Sequence, residues 1–210
     1  NPLKETLATK IAQSLADRII TGVIRPNTPL RQDHIAAEFG ASHVPVREAF
    51  RQLEAQGLAI SEPQRGMRVT PFDVEDLHEV AAMRASLEVL ALRHAVPNMT
   101  SAVLEAAEQA THAGDVSREV REWEDANRRF HRLILGPCGM PRLLSAIDTL
   151  HTASARFLFA AWRSDWEAPT NHEHRAILVA LRRGETDRAC LILSKHVGRT
   201  RRRDLQKNGL

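Results

Sequence analysis

Leu7, Ile11, Leu15 and Ile19 recur every four residues, so the chain opens on a helical stripe that Gly22 and the turn Pro26-Asn27-Thr28-Pro29 bring to an end. A short second helix is predicted over residues 32–39, closed by Gly40. Ser42 is then expected to cap a third helix, which tolerates Pro45 in its first turn because an early N–H has no intrahelical acceptor. That helix runs to Gln56 and stops at Gly57. Two apolar runs, 58–60 and 67–70, flank Pro63-Gln64-Arg65-Gly66 and predict a small β-hairpin. Three helices and a hairpin outline a winged helix-turn-helix.

Beyond Pro71 the pattern is helical throughout. Punctuation at Pro97, Gly114, Gly136-Pro137, Ala168-Pro169 and Gly184 divides it into helices over 73–96, 101–113, 117–135, 141–163, 169–183 and 185–205. The expected fold class is mainly α: an N-terminal winged helix-turn-helix over 1–72, then an all-helical antiparallel bundle of about six helices over 73–210.

Composition narrows the class. With 43% hydrophobic and 26% charged residues the chain is not a disordered one. No apolar run approaches the ~18 residues that would cross a bilayer, and the N-terminal segment lacks the apolar core of an export signal. Two cysteines, Cys138 and Cys190, form no framework, which points to a reducing cytoplasm. The net charge of +3 is unevenly spread: residues 1–72 carry +2, residues 73–196 carry −3 and residues 197–210 carry +4. A polyanionic partner is therefore expected at the ends. Of ten histidines only His34 and His43 lie in the basic head.

The third helix carries the first candidate chemistry. With Val46, Ala49, Phe50 and Leu53 inward, His43, Val44, Arg47 and Arg51 point out. Arginines there can reach phosphates or the O6/N7 edge of guanine, and Ser42 can bond a phosphate. At the hairpin tip, Arg65 and Gly66 pair a cation with a backbone bare of side chain. The plain alternative is packing, with Arg47 paired to neighbouring glutamates.

The run Ser42-x-x-Pro45-Val46-Arg47-Glu48-Ala49-Phe50-Arg51-x-Leu53-Glu54-x-x-Gly57-Leu58, closing with Arg65-Gly66-x-x-Val69, resembles the GntR family of bacterial winged-helix repressors. The resemblance implies operator DNA as partner. It places Ser42, His43, Val44 and Arg47 at DNA-contacting positions of the reading helix and Arg65 and Gly66 at the wing tip. Two departures weaken the charge of that face: the family usually has Ser-Arg-Thr-Pro where this chain has Ser42-His43-Val44-Pro45, and an often-basic position on the preceding helix is Asp33.

A second candidate lies in the acidic middle. Asn127 and His131 share a helix face one turn apart, and His131 points with Ile134 and Leu135 at the core. His174 and His196 lie on apolar stripes, 10 residues before and 12 after Gly184, so an antiparallel hairpin turning there brings them within ~3 Å in height. Such a set suits a borderline divalent cation with positions left open for a small molecule. Three buried, hydrogen-bonded core histidines are the alternative, and His94 and His151 lie on similarly apolar faces.

Arg84-x-x-Leu87-Glu88, Asn127-x-x-Phe130-His131, Glu173-His174-x-x-Ile177-x-x-Ala180-Leu181-x-x-Gly184 and His196 are, in that order, similar to the FCD effector domain of FadR-type GntR regulators. The resemblance implies that His131, His174 and His196 are ligands to a divalent metal ion, zinc or nickel. Asn127 stands where metal-containing members commonly have aspartate, which leaves the centre one charge more positive and suited to a carboxylate effector. Arg84 matches a pocket arginine and is expected at the effector, unless it is spent on Glu88 one turn away.

The expected function is a cytoplasmic homodimer that binds near-palindromic operator DNA, a repressor in its action, and responds to a small organic acid. A metal-dependent hydrolase and a regulator that senses the metal itself are the alternatives. The chain shows no HExxH, GxSxG or Gly-rich phosphate loop, so no enzyme is expected. Trp123, Trp162 and Trp166 are expected to pack or to line a dimer contact, and Arg199, Arg201, Arg202 and Arg203 to form a solvated helix end or a further DNA contact.

Overall fold

The computed structural model describes residues 6–161 and 171–198. The chain falls into two compact units, Asn1–Val74 with Ala155–Ala160, and Glu75–Ser154 with Ala161–Leu210. The expectations for Trp162, Trp166 and the arginine-rich tail lie outside the described residues.

In the first unit, α1 (Leu7–Ile20) starts from Thr6, whose hydroxyl accepts the N–H of Thr9 at 3.1 Å. Ala8, Ile11, Ala12, Leu15 and Ile19 are buried, whereas Leu7 is 45% exposed. Each four-residue step overshoots a full turn by about 40°, so a strict i, i+4 row winds off the core and Ala8 takes the place expected of Leu7. α2 (Gln32–Phe39) closes on Gly40, at φ +57°, where a residue without Cβ turns the chain at no steric cost.

α3 (His43–Ala55) follows two residues later. Ser42 holds its N-cap position with an extended backbone, yet its hydroxyl makes no capping bond. The third residue of that helix is Pro45, which has no N–H to offer, and this removes the usual partner of a capping serine. β1 (Ala59–Glu62) pairs antiparallel with β2 (Gly66–Val69), Ala59 opposite Val69 and Glu62 opposite Gly66. Leu58 belongs to the core before the strand begins. Ile11, Leu15, Val46, Phe50, Leu53, Leu58 and Val69 form the centre of this unit.

The predicted run of helices follows: α4 (Val74–Ala95), α5 (Ser101–Asp115), α6 (Val120–Leu135), α7 (Pro141–Ala161), α8 (His172–Arg182) and α9 (Thr186–Gly198), all in the second unit except Val74 and Ala155–Ala160. Pro97 and Pro137 sit in single 3₁₀ turns, Val96–Asn98 and Gly136–Cys138, that end α4 and α6. Leu92, Phe130, Ile134, Leu135, Ile177, Leu178 and Leu193 fill the core. Gly184, at φ +71°, turns α8 back into α9. The start of α8 is pinned by Asn171, whose amide donates to the Thr111 carbonyl at 3.3 Å and to Asp115 at 3.0 Å. It reaches them because Gly114 has no side chain: a Cβ there would stand 2.8 Å from the Asn171 amide nitrogen.

Candidate functional site

The outer face of α3 and the wing are built from exposed, loosely held side chains. Because Val46, Ala49, Phe50 and Leu53 are committed to the core, the helical period sends His43, Val44, Arg47 and Arg51 outward, as expected. Arg51 lies 3.6 Å from Glu48, and Arg65 at the hairpin tip lies 3.8 Å from Glu62. The Arg51–Glu48 pair is exposed, where the Coulomb gain is small and screened, whereas in the second pair Arg65 is exposed and Glu62 is half-buried. Gly66, at φ +75°, has open space where a side chain would stand.

The two departures from the family pattern meet each other. His43 Nε2 lies 3.1 Å from Asp33 Oδ1, joining the first turns of α2 and α3. Along the chain they are separate losses of charge; only the approach of the two helices makes them partners. Between the wing and α2 lies a cleft of about 500 Å³ whose lining includes Arg31, Asp33, Arg65 and Arg68.

In the second unit the site is buried. His174 on α8 and His196 on α9 face each other across the Gly184 turn, Nε2 to Nε2 at 3.1 Å. His131 on α6 joins them, and one nitrogen from each of the three rings lies within 4.8 Å of the others. Phe130 stacks on the His174 ring at 3.9 Å and holds its plane.

Two carboxylates orient this group. Glu88 Oε2 accepts from His131 Nδ1 at 2.7 Å, and Glu173 Oε2 accepts from His196 Nδ1 at 2.9 Å. A proton held on Nδ1 leaves the lone pair on Nε2. The Nε2 of His131 is buried without a partner. Within the His174–His196 contact the hydrogen must then come from His174, whose own Nδ1 is left buried and unpartnered. Burial lowers the pKa of His131 and of His174, so both rings are neutral at pH 7, the state in which imidazole binds a metal. Two nitrogens 3.1 Å apart are also spaced as neighbouring ligands of an ion about 2.1 Å from each would be. The donor set and its supporting carboxylates therefore fit a divalent cation.

Arg84 is spent inside the protein. Its Nε donates to Glu88 at 2.9 Å, one terminal nitrogen to Ser154 at 3.0 Å and the other to His151 Nε2 at 3.0 Å. This is the ion pair that the spacing of Arg84 and Glu88 allowed. Burial pushes the Glu88 carboxyl up, but Arg84 and His131 overcome it and hold the group well below the usual carboxylate range. An arginine can only donate, so His151 accepts at Nε2 and its proton sits on Nδ1, buried with no partner.

Asn127 lies on the α6 face one turn before His131, with its amide donating to Glu124 at 3.2 Å and its carbonyl oxygen buried and unpartnered. Glu124 is itself buried, and desolvation raises its pKa to about 7 against the opposing pull of Arg84 and Asn127. Sequence reasoning missed Glu88 as the orienting acid, His151 and Glu124. The i, i+4 row of Arg84 and Glu88 was the available signal for the first. His94, weighed beside His151 on the same apolar grounds, is exposed.

A winged helix-turn-helix joined in one chain to a helical unit with a buried histidine cluster defines a class of two-domain bacterial regulator. Residues 7–69 match the family described as bacterial regulatory proteins, gntR family, and residues 79–199 match the FCD domain. The chain belongs to the GntR family of transcriptional regulators with an FCD domain. It is 31% identical over 92% of its length to a "Probable D-xylose utilization operon transcriptional repressor" of Paenarthrobacter nicotinovorans, covering 87% of that protein. A GntR family member of Pseudomonas syringae pv. tomato is a structural relative, 29% identical at a TM-score of 0.57, with 96% of this chain and 88% of that one covered. Escherichia coli McbR/YncC, 21% identical, shares the fold at a TM-score of 0.80 over 96% of this chain and 98% of its own. The two domains are those of DNA-binding regulators and not of enzymes, which sets aside the hydrolase weighed from the three histidines.

Proposed function

We propose that the protein is a homodimeric repressor that binds operator DNA through Ser42, His43, Val44, Arg47, Arg51, Arg65 and Gly66. Its affinity for the operator is set by a small carboxylic acid bound in the FCD domain. His131, His174 and His196, with Asn127 as a neutral fourth donor, hold a divalent ion, zinc or nickel, and the acid completes its coordination. The bound ion would supply a fixed positive charge for the acid's carboxylate.

One observation carries this reading: the buried, unpartnered Nε2 of His131 stands beside the His174–His196 pair, while acids hold the Nδ1 protons of His131 and His196. A buried acceptor without a partner costs free energy that an ion recovers. Arg84 contributes mainly by neutralising Glu88; an acid that reached it would displace Ser154 or His151.

For the acid to regulate, it must bind one arrangement of the two reading heads better than another, since a ligand shifts an equilibrium only by its differential affinity. Two-fold symmetry places the heads about one helical turn, ~34 Å, apart on the DNA. The test is a thermal-shift screen of small carboxylic acids with and without zinc or nickel, followed by operator binding in the presence of each hit. Metal-dependent stabilisation by an acid that also changes operator affinity is the expected result. Operator affinity that follows free metal alone would favour a metal sensor, and purified protein that takes up no divalent ion by elemental analysis would exclude the centre.

A further inference from the structure

Val44 is the second residue of α3 and is 65% exposed, although it is a large apolar side chain. It is not the fringe of the core. At about 100° per residue it lies some 200° around the helix from the buried Val46, and it shares its face with Arg47 and Arg51 at i+3 and i+7. Among the exposed large apolar residues of the described chain it is the one on α3. An aliphatic side chain has nothing to offer a phosphate, so it does not belong to the backbone-holding set around it. His43 beside it is already turned to Asp33 at 3.1 Å, which reduces the positive charge at this end of the helix.

We infer that Val44 reads the C5-methyl group of a thymine in the operator, and is thereby a specificity-determining residue of this regulator. In the major groove the thymine methyl is the apolar feature that distinguishes base pairs. Val44 suits it in two ways. Its branched β-carbon leaves one strongly preferred rotamer in a helix, so its two methyl groups are held in place before binding. Its position in the first turn of α3 is the part of a reading helix that contacts base edges. The inference rests on the DNA-reading role assigned to α3 above.

The test uses the full-length protein and an operator obtained by selection from random duplexes. Each thymine is then replaced by deoxyuridine, which removes the methyl and leaves base pairing intact. One thymine in each half-site is expected to cost the wild type roughly fourfold in affinity on replacement, the effect of withdrawing about one buried methyl. Val44→Ala and Val44→Ser, which keep the fold because the site is exposed, should bind the thymine and uracil operators equally. Insensitivity of the wild type to every such replacement would overturn the inference while leaving the DNA-reading role standing. So would a uracil penalty that persists in Val44→Ala. Failure to select any preferred duplex would overturn the DNA-reading role itself, and this inference with it.

Discussion

The reading face and the histidine cluster obey opposite rules of construction. On α3 and the wing the candidate residues are exposed, their ion pairs are loose, and the backbone beneath them is held by a core that none of them enters. In the FCD domain the candidate residues are themselves part of the interior: Glu88, His131, His151 and His174 are almost wholly buried, and each depends on the others for its charge state. The first arrangement separates recognition from stability. The second fuses them, so that changing one member disturbs both what the site binds and how well the domain folds.

The largest effect should come from Glu88→Ala. It strands the Arg84 guanidinium and the His131 N–H in the interior, and a loss of about 3–5 kcal/mol of FCD-domain stability is expected by urea denaturation. A loss below about 1 kcal/mol would show that the network is not the structural centre described. Arg47→Ala tests the other rule. Specific operator affinity should drop by roughly a hundredfold over two half-sites with the melting temperature unchanged, and retained affinity would remove Arg47 from the reading set.

The next effect is one of pH. Burial, helped by Arg84, lowers the pKa of His151 to about 3, and His131 and His174 are lowered too. These rings take up protons in the unfolded chain below about pH 6.5, and in the folded one only at lower pH. Stability is therefore complete above that pH and declines as pH falls toward 3. His151→Gln, which keeps an acceptor for Arg84, should flatten the decline in urea midpoints measured between pH 7 and pH 5. The smallest effect belongs to the surface: Arg51→Gln should alter unfolding free energy by less than about 0.5 kcal/mol, because its pair with Glu48 is exposed.

Much of this architecture was legible along the chain. Local signals end helices, so Gly40, Gly57, Pro97, Pro137 and Gly184 placed the boundaries within a few residues. His174 and His196 were legible as a pair because nearly equal distances from one turn, 10 and 12 residues, bring two helices to about the same level, and the structure joins them across Gly184. Ser42 stands at the N-cap as its place in the sequence predicts, but its hydroxyl makes no capping bond, and Pro45 at the third helical position has no N–H to offer it. Arg84 could be read either as a pocket cation or as the partner of Glu88, because one helical turn permits both.

The sequence alone settles what depends on neighbours in the chain: the order of helices, the hairpin, the faces that turn inward, and the family motifs that make this a GntR regulator. Tertiary structure alone decides which buried charges meet. Glu88 touching both Arg84 and His131, His151 receiving a hydrogen bond from Arg84, and Asp33 answering His43 all join residues of different helices, except for the Arg84–Glu88 pair. No periodicity encodes such meetings, because they depend on how helices distant in sequence are brought together by a core. The interior then magnifies them, since low polarity makes each partner decide whether its neighbour is charged.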